Sequence, residues 1–368
     1  MRMRTRLTAA ALVAATALGL AAAPGSPAGA DETPVPAGKA SSKTFSFGGF
    51  SGDSPYNTET FVAPGSTPII GQFAGSSADD ILWYTAGNGG DALWTNTGSV
   101  QFSTSAASIG GTYAPKVGTF APPDGYDDVL WYSTTAASQL WDYNAGGTVT
   151  KTALPAVTGP GQIVIGDFAL DGIDDVIRYR PGTASDSWWD FQTMQAVARP
   201  FNVNGTYMPL VGEFAADGSS DILWYAAGVN PDFLWDFDGG GAKTEWDLSI
   251  NGTYTPVVGL FSGDSKDDVI WYRPGSGADA VWDFYGLGYE TKGLTVNGTY
   301  SPVACRCLQQ GSVYEDVVWY RAGALSDAAW KVNGEPFAYA TLAADVPGVS
   351  IAGHGTFSGD QELLLVRH

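Results

Sequence analysis

The sequence has little cysteine and almost no histidine. Cys305 and Cys307 are its two cysteines, and His354 and His368 are its two histidines among 368 residues. A chain of this length does not need a disulfide framework to fold, and the composition offers no cysteine and histidine cluster for zinc. No histidine precedes residue 354 that could serve a serine or cysteine nucleophile as its base. We therefore expect no hydrolase of that type.

The two cysteines belong to a Cys-Arg-Cys segment. On an extended strand, residues two apart share one face, and their Cα atoms are roughly 6.5–7 Å apart, near the outer limit for a disulfide. A local disulfide and two buried thiols both remain open, and this spacing slightly favours the thiols.

Basic residues are also scarce. The chain has 18 Lys and Arg residues against 38 Asp and Glu residues, a formal net charge of −20. Such a surface repels the phosphates of nucleic acids and anionic membranes. We expect no nucleic-acid partner.

Long apolar runs are missing beyond the N-terminus, which reads as a secretory signal peptide over residues 1–30. An apolar segment, Leu7 to Ala23, follows a basic start, and Ala28-Gly29-Ala30 fits a signal-peptidase site. The basic start consists of Arg2, Arg4 and Arg6. We predict cleavage before Asp31, a flexible Pro/Ala/Ser tether over residues 31–43, and a secreted protein without a membrane span. The mature chain would have 15 basic and 38 acidic residues, a net charge of −23.

The sequence contains instead a repeat of about 47 residues. A Gly-x-Phe step precedes an acidic turn, then Asp-(Val/Ile)-(Leu/Ile)-Trp-Tyr, then a second Trp about eleven residues later. The step begins at Gly71, Gly118, Gly166, Gly212, Gly259 and Gly355, with Cys305 between the last two. Such a period indicates a solenoid, a propeller or an array, because one unit cannot bury its apolar face alone.

Each unit reads as four short strands joined by Gly, Asp and Pro turns. In the fifth unit we predict strands at Pro256–Phe261, Asp268–Tyr272, Ala280–Phe284 and Glu290–Val296. The second of these is apolar on both alternating faces, so each sheet must lie between two others. Radial repetition of four-stranded blades provides that burial, and no helical period appears in the mature chain.

The two ends of the chain complete the ring of blades. Six units are complete, and their third-strand tryptophans are Trp94, Trp141, Trp189, Trp235, Trp282 and Trp330. The seventh, Val349 to His368, supplies two strands, and Thr44–Gly48 and Thr58–Ala63 supply the other two. We predict one all-β domain over residues 44–368: a seven-bladed β-propeller of four-stranded antiparallel blades, the last blade shared by the N- and C-termini.

The segment Gly166-Asp-Phe-Ala-Leu-Asp-Gly-Ile-Asp-Asp-Val176 resembles the FG-GAP or VCBS repeat. That repeat builds the head of the integrin α-subunit and many secreted bacterial propellers, and Asp268-Val-Ile-Trp271 with Trp282 resembles the bacterial form most. The resemblance covers about residues 44–368. It implies a propeller fold, which hosts many activities, and calcium bound by oxygens of the turn after Gly-x-Phe.

This chain keeps the calcium pattern incompletely. The third and fourth units offer two sets of candidate ligands, with Ala169 and Ala215 at the second ligand position. The sets are Asp167, Asp171 and Asp175, and Glu213, Asp217 and Asp221. The last Asp alone recurs, at Asp80, Asp128, Asp175, Asp221, Asp268 and Asp316. We predict that it caps the turn by accepting backbone N–H bonds, that no cofactor is required, and that calcium is a candidate only in the third and fourth repeats.

Candidate binding residues lie in the turns that link one blade to the next. Four of these turns have the sequence Gly-Thr-Tyr and contain Tyr113, Tyr207, Tyr254 and Tyr300. In a propeller these turns and the second-to-third-strand loops open on one face, and tyrosines on a polar rim suit sugar stacking or a protein contact. The alternative is that each Tyr packs on the neighbouring blade as a hinge.

Arg178 and Trp188 break the repeat. Arg178 replaces the second-strand Trp of the other complete units, and Trp188 stands beside the third-strand Trp189. An Arg stacked on an indole would explain the pair by packing. The functional alternative is a buried cation that faces a ligand or an Asp.

Nearly all carboxylates recur once per blade, so no acidic pair of a propeller glycosidase stands out. We predict a secreted, monomeric, non-enzymatic binding module for an extracellular glycan or protein. The alternatives are an extracellular scaffold or adhesion domain without a small ligand and, third, a glycan-active propeller hydrolase.

Overall fold

A computed structural model describes residues 44–48, 56–59, 65–75, 77–87, 89–98, 101–121, 124–154, 161–192, 195–197, 202–285, 288–308, 312–321, 327–333, 339–343, 349–356 and 361–367. The predicted signal peptide and tether lie outside these residues. Within them the regular structure is β-strand, apart from one 3-10 turn at Ala145–Gly147. This part of the chain contains no helix long and apolar enough to cross a membrane.

The strands follow one another in groups of four, named blades 1 to 6 here, after two strands at the N-terminal end. Those two are β1 (Thr44–Gly48) and β2 (Tyr56–Glu59). Blade 1 contains β3 (Thr67–Gly71), β4 (Asp80–Tyr84), β5 (Asp91–Gly98) and β6 (Gln101–Ala107). Blade 2 contains β7 (Ala114–Gly118), β8 (Asp128–Tyr132), β9 (Gln139–Asn144) and β10 (Thr148–Ala153). Blade 3 contains β11 (Gln162–Gly166), β12 (Asp175–Tyr179), β13 (Ser187–Asp190) and β14 (Gln195–Val197).

The remaining strands repeat this arrangement. Blade 4 contains β15 (Met208–Gly212), β16 (Asp221–Tyr225), β17 (Asp232–Phe237) and β18 (Lys243–Leu248). Blade 5 contains β19 (Thr255–Gly259), β20 (Asp268–Tyr272), β21 (Asp279–Tyr285) and β22 (Gly288–Leu294). Blade 6 contains β23 (Ser301–Cys305), β24 (Asp316–Tyr320), β25 (Ala328–Val332) and β26 (Tyr339–Ala343). The last two strands are β27 (Val349–Thr356) and β28 (Gln361–Arg367).

The chain folds as an all-β propeller of four-stranded antiparallel blades. In blades 1 to 6 the spatial order of the strands is their order in the chain, as the repeat predicts. Strands from both ends form one further sheet, the terminal sheet, with the order β2-β1-β28-β27. Its strand β27 lies beside β3 of blade 1. The strand β2 begins at Tyr56, two residues before the predicted start.

The second strand of each blade is buried on both faces, as its continuous apolar character predicts. All five positions of β20 are buried, and so are those of β4, β8, β12 and β16. Within blade 5, Trp271 lies edge-on to Trp282 at 5.3 Å between ring centroids. Towards blade 4, the same Trp271 ring contacts Tyr225 at 5.1 Å. Burial of each such ring contributes roughly 2–3 kcal/mol to the stability of the fold. Because these rings contact the neighbouring blade, the hydrophobic core lies between the blades.

Successive blades are also joined by the residue before the recurring Asp, a contact that the sequence analysis did not predict. Asp267 of blade 5 accepts a hydrogen bond from the Glu213 amide of blade 4 at 2.9 Å, and its own amide donates to the Glu213 carbonyl at 2.7 Å. Asp127 with Gln72, Asp174 with Thr119 and Ser220 with Asp167 repeat both bonds. Because each link joins blades n and n + 1, we call it the interblade link.

The interblade link explains the glycine of Gly-x-Phe. A Cβ atom at Gly212 would lie 3.1 Å from Asp267 Oδ2 and 2.9 Å from Phe214 Cζ. The Phe is buried and packs on the next blade, as Phe214 does on Phe284 with centroids 4.9 Å apart. A side chain larger than hydrogen would therefore displace either the carboxylate or the ring.

Cys305 and Cys307 form a disulfide, with their Cα atoms 5.3 Å apart. The slight preference for thiols was therefore wrong. The strand β23 ends at Cys305, and the chain bends at Arg306. The separation of an extended strand consequently does not apply, and the two buried sulfurs can meet.

Candidate ligand-binding site

The linking turns and the second-to-third-strand loops lie together on one face, as predicted. At four junctions a glycine of the turn and a glycine of the loop form an antiparallel bridge: Gly87 with Gly111, Gly182 with Gly205, Gly228 with Gly252, and Gly275 with Gly298. In the last pair the N–H···O distances are 2.6 and 2.8 Å. We call the surface formed by these four turns and loops the linker face.

In blades 1, 3, 4 and 5 the tyrosine at the end of the second strand is hydrogen-bonded to the linking turn through its hydroxyl. The Tyr272 hydroxyl donates to the Gly298 carbonyl at 2.7 Å and accepts from the Tyr300 amide at 2.9 Å. Tyr84, Tyr179 and Tyr225 make the same two bonds at the other three junctions. A turn with both bonds is rigid, since its backbone groups have partners inside the blade.

The Asp at the start of the third strand holds the loop and the turn in the same way. Asp279 accepts from the Arg273 amide and from the Val296 amide, each at 2.7 Å. Asp91, Asp186 and Asp232 bridge the corresponding amides of their blades. This finding supports the interpretation that an acid found once per blade serves the blade.

The four predicted tyrosines lie at four different junctions, half-buried, and each has its edge against the second-strand Trp of the following blade. Tyr300 contacts Trp319 with centroids 6.1 Å apart and planes at 67°. Tyr113, Tyr207 and Tyr254 contact Trp131, Trp224 and Trp271 in the same manner. Each Tyr therefore makes the hinge contact, while part of its ring remains on the linker face.

Two arginines that the sequence analysis did not single out cover two of these rings. The guanidinium carbon of Arg273 lies 4.6 Å from the Tyr254 centroid, and that of Arg321 lies 4.2 Å from the Tyr300 centroid. Both follow a second-strand Tyr, but so does Arg180 of blade 3, so the Tyr-Arg dipeptide was only a partial signal.

Arg178 and Trp188 point to different neighbours. Trp188 is buried against Phe168 and against Phe237 of blade 4. The Nε of Arg178 donates to the hydroxyl of Tyr132 in blade 2 at 3.2 Å. At other junctions the residue equivalent to Arg178 is a Trp, which packs on the Tyr equivalent to Tyr132. A cavity of about 30 Å³ remains there, lined by Arg178, Trp189 and apolar side chains. It has room for a few waters at most and not for a sugar ring.

The candidate metal ligands mainly cap their own turns. Both Asp167 oxygens accept backbone bonds, from the Asp171 amide at 3.0 Å and the Gly172 amide at 2.9 Å, and Asp171 accepts from Ile173 at 2.9 Å. In blade 4 Glu213 accepts from the Asp217 amide at 3.1 Å. Among the described residues, no group of three or more His, Cys, Asp or Glu side chains is arranged to hold a metal ion.

The recurring Asp caps the turn in five blades, as predicted. Asp221 accepts from the amides of Phe214, Ala215 and Phe237 at 2.8 to 3.0 Å. Asp80, Asp128, Asp268 and Asp316 accept equivalent bonds. Burial outweighs these bonds and raises the pKa of Asp221 to about 8.

Blade 3 departs from this pattern at Asp175. The Phe168 amide donates to the Gly166 carbonyl at 3.0 Å, whereas the corresponding Phe amides of blades 1, 2, 4 and 5 donate to the recurring Asp. Burial raises the pKa of Asp175 to about 8; a hydrogen bond with the Trp188 side chain opposes this rise, and smaller repulsion from Asp190, Asp171 and Asp167 adds to it.

Comparison with known proteins identifies the fold only. No family model matches the chain, and no curated protein matches it. The resemblance to the FG-GAP or VCBS repeat accordingly stays a prediction. A solved Agrocybe aegerita lectin that recognises non-reducing terminal N-acetylglucosamine is similar, with a TM-score of 0.64 and 14% identity over 83% of this chain and 90% of that one.

Two further solved structures are more distant. A complex of BBS1N with ARL6DN has a TM-score of 0.48 and 11% identity, over 83% of this chain and 92% of that one. The Tc holotoxin pore of Photorhabdus luminescens has a TM-score of 0.39 and 11% identity, over 87% of this chain and 20% of that one.

Proposed function

We propose that this protein is a glycan-binding module whose binding surface is the linker face. The observation that carries the proposal is the set of rigid turns with exposed polar groups beside a partly exposed Tyr. Thr112, Thr206, Thr253 and Thr299 are exposed in these turns. Hydroxyl and amide groups held in fixed positions beside an aromatic ring match the alternating polar and apolar surface of a sugar.

The Agrocybe aegerita lectin supports the proposal from outside the chain, because a propeller of similar fold recognises a sugar. At 14% identity, no binding residue of that lectin can be assigned to a position of this chain. The support concerns the class of ligand, and the residues come from the linker face described above.

We also propose that the terminal sheet is the seventh blade. Its strand order and the position of β27 beside β3 support this count, since the sheet then closes the ring. Export of the chain is part of the same proposal. N-terminal sequencing of secreted protein should begin at Asp31, and a start at Met1 would contradict it.

A glycan array with matched variants tests the function. The double variant Thr253→Val and Thr299→Val removes two exposed hydroxyls of the linker face, and Thr244→Val removes one from the outer strand β18. We expect the double variant to lose most array binding and Thr244→Val to bind as the wild type does. Absence of binding to any glycan at high protein concentration would show the proposal to be wrong. Incubation with the bound glycan should release no new reducing ends, because we propose binding without catalysis.

A second candidate is a protein-binding scaffold or adhesion domain. It is favoured by two exposed apolar residues on the linker face of blade 4, Met208 at 47% and Val229 at 86% exposure. If no glycan binds and a co-purifying protein is lost in the double variant Met208→Ser and Val229→Ser, this function replaces the first.

A further inference from the structure

Two junctions of the linker face carry a fixed guanidinium in an acidic protein. Arg273 reaches from blade 5 across the turn that contains Tyr254, and Arg321 reaches from blade 6 across the turn that contains Tyr300. The net charge of the whole chain is −20, so cations on this face need an explanation. The two junctions follow one another along the chain, so the same Arg–Tyr contact occurs at two equivalent positions.

Neighbouring groups fix both guanidinium groups. The flat group lies on a Tyr ring, and Arg321 Nε also donates to the Thr299 carbonyl at 3.2 Å. Gly252 and Gly298 leave the space in which the guanidinium groups lie, because a Cβ atom at either would collide with an Arg Nη2. A stacked guanidinium loses little further freedom when a ligand binds.

No carboxylate within the described part of the chain pairs with either guanidinium. The nearby Asp279 has both oxygens engaged by backbone amides, and Asp327 accepts from the Arg321 amide at 2.6 Å. Of the five N–H donors of Arg321, the Thr299 carbonyl takes one. Both arginines are half-buried, so donors remain available at the surface.

We propose that Arg273 and Arg321 form two equivalent subsites for the carboxylate of an acidic saccharide, a uronic acid. The inference rests on the proposed glycan-binding function and names its ligand class. A guanidinium binds a carboxylate through two parallel N–H···O bonds, and the exposed Thr253 and Thr299 hydroxyls lie in the same turns for the sugar hydroxyls. The overall negative charge repels polyanions, which favours a saccharide with one carboxylate over a polysulfated chain.

The test uses methyl β-glucuronide and methyl β-glucoside, which differ by one carboxylate, in titration calorimetry with the full mature protein. We expect the wild type to bind the glucuronide at least tenfold more tightly. The double variant Arg273→Gln and Arg321→Gln should lose that preference and keep the affinity for the glucoside. Arg273→Lys with Arg321→Lys should keep only part of it, because lysine lacks the paired donors.

Lys151→Gln is the matched control, because Lys151 also lies over an aromatic ring, Trp141 at 3.6 Å, but on the outer strand β10. It should bind as the wild type does, and thermal melts should show that every variant is folded. Equal binding of both sugars, or a preference that survives the Gln double variant, overturns the inference while the proposed function stands. Absence of binding to either sugar and to a glycan array overturns both.

Discussion

At the residue scale, most acidic side chains of the repeat act as acceptors for backbone amides. Asp268 accepts from the amides of Phe261 and Ser262 in the turn and of Phe284 on the third strand, at 2.7 to 3.0 Å. One carboxylate therefore ties the first turn of a blade to its third strand. A residue with this role must recur in each blade, which explains why the acids follow the repeat.

Replacing Asp268 by Ala should destabilise the protein by about 2–4 kcal/mol, because three buried amides lose their acceptor. Chemical denaturation measures the free energy of unfolding. Asp247→Ala is the control, since Asp247 is exposed on β18, and it should change that free energy by less than about 0.5 kcal/mol. Equal effects of the two substitutions would contradict the capping role.

Replacing Gly259 by Ala should destabilise by about 1–3 kcal/mol, since the new Cβ atom would collide with the Glu315 carboxylate and lie 2.9 Å from Phe261 Cζ. Gly293→Ala is the matched control in the same blade, because a Cβ there meets nothing within 4 Å. We expect this control to be neutral or slightly stabilising in a thermal melt. Equal melting temperatures of the two variants would contradict the steric role of Gly259.

At the element scale, the blade junction is the structural unit. A second-strand Tyr packs on the Trp of the next blade and bonds to the linking turn with its hydroxyl, as Tyr272 does. The junction between blades 2 and 3 lacks this arrangement, because Arg178 replaces the Trp and bonds to Tyr132. The cavity of that junction follows from the missing indole.

Replacing Tyr272 by Phe keeps the ring and removes the hydroxyl that holds the Gly298 turn. We expect a loss of about 1–3 kcal/mol, because the Gly298 carbonyl and the Tyr300 amide lose their partner. Hydrogen exchange at the Tyr300 amide should also become faster. Tyr285→Phe serves as the control, since Tyr285 is 50% exposed at the end of β21. An unchanged exchange rate of the Tyr300 amide in the Tyr272 variant would contradict this role of the Tyr272 hydroxyl.

At the scale of the whole molecule, the described residues include more buried carboxylates than buried cations, and these carboxylates recur from blade to blade. Burial raises the pKa of Asp128, Asp268, Glu213 and Glu315 to about 7 and that of Asp175 and Asp221 to about 8. The ordinary values in these groups are 3.8 for Asp and 4.5 for Glu. Protons are therefore bound more tightly in the folded protein than in the unfolded chain.

The protein should lose stability as the pH rises from 5 to 8. Each of these groups has a folded-state pKa above its unfolded value, so its contribution is complete below about pH 4 and lost as the pH rises through 7 to 8. We expect the free energy of unfolding to fall by roughly 2 kcal/mol or more over this interval. The free energy of unfolding should be measured in 0.5 M salt, which screens the repulsion between exposed charges and leaves mainly the effect of the buried groups. Stability that is constant or rises from pH 5 to 8 would refute the expectation.

Removal of calcium should leave the melting temperature unchanged. The turn of blade 3 is already capped by backbone bonds to Asp167, and no cofactor is required in our prediction. Thermal melts with excess calcium and with excess chelator provide the measurement. A midpoint several degrees higher with calcium would assign a site to the third or fourth repeat, and Asp167→Asn and Glu213→Gln would then identify which.

The sequence by itself determined the period, the four strands of each blade, the double burial of the second strand and the capping role of the recurring Asp. These features depend on local patterns, which the repeat presents once per blade, although the capping role is seen in five of the six blades. Tertiary structure alone decided the interblade links, the Cys305–Cys307 disulfide and the position of Arg273 and Arg321 over tyrosines. Those contacts join residues on different blades or across a bend, where the strand period gives no distance. The partners of the two cysteines and of these two arginines therefore follow from the tertiary structure and not from the repeat.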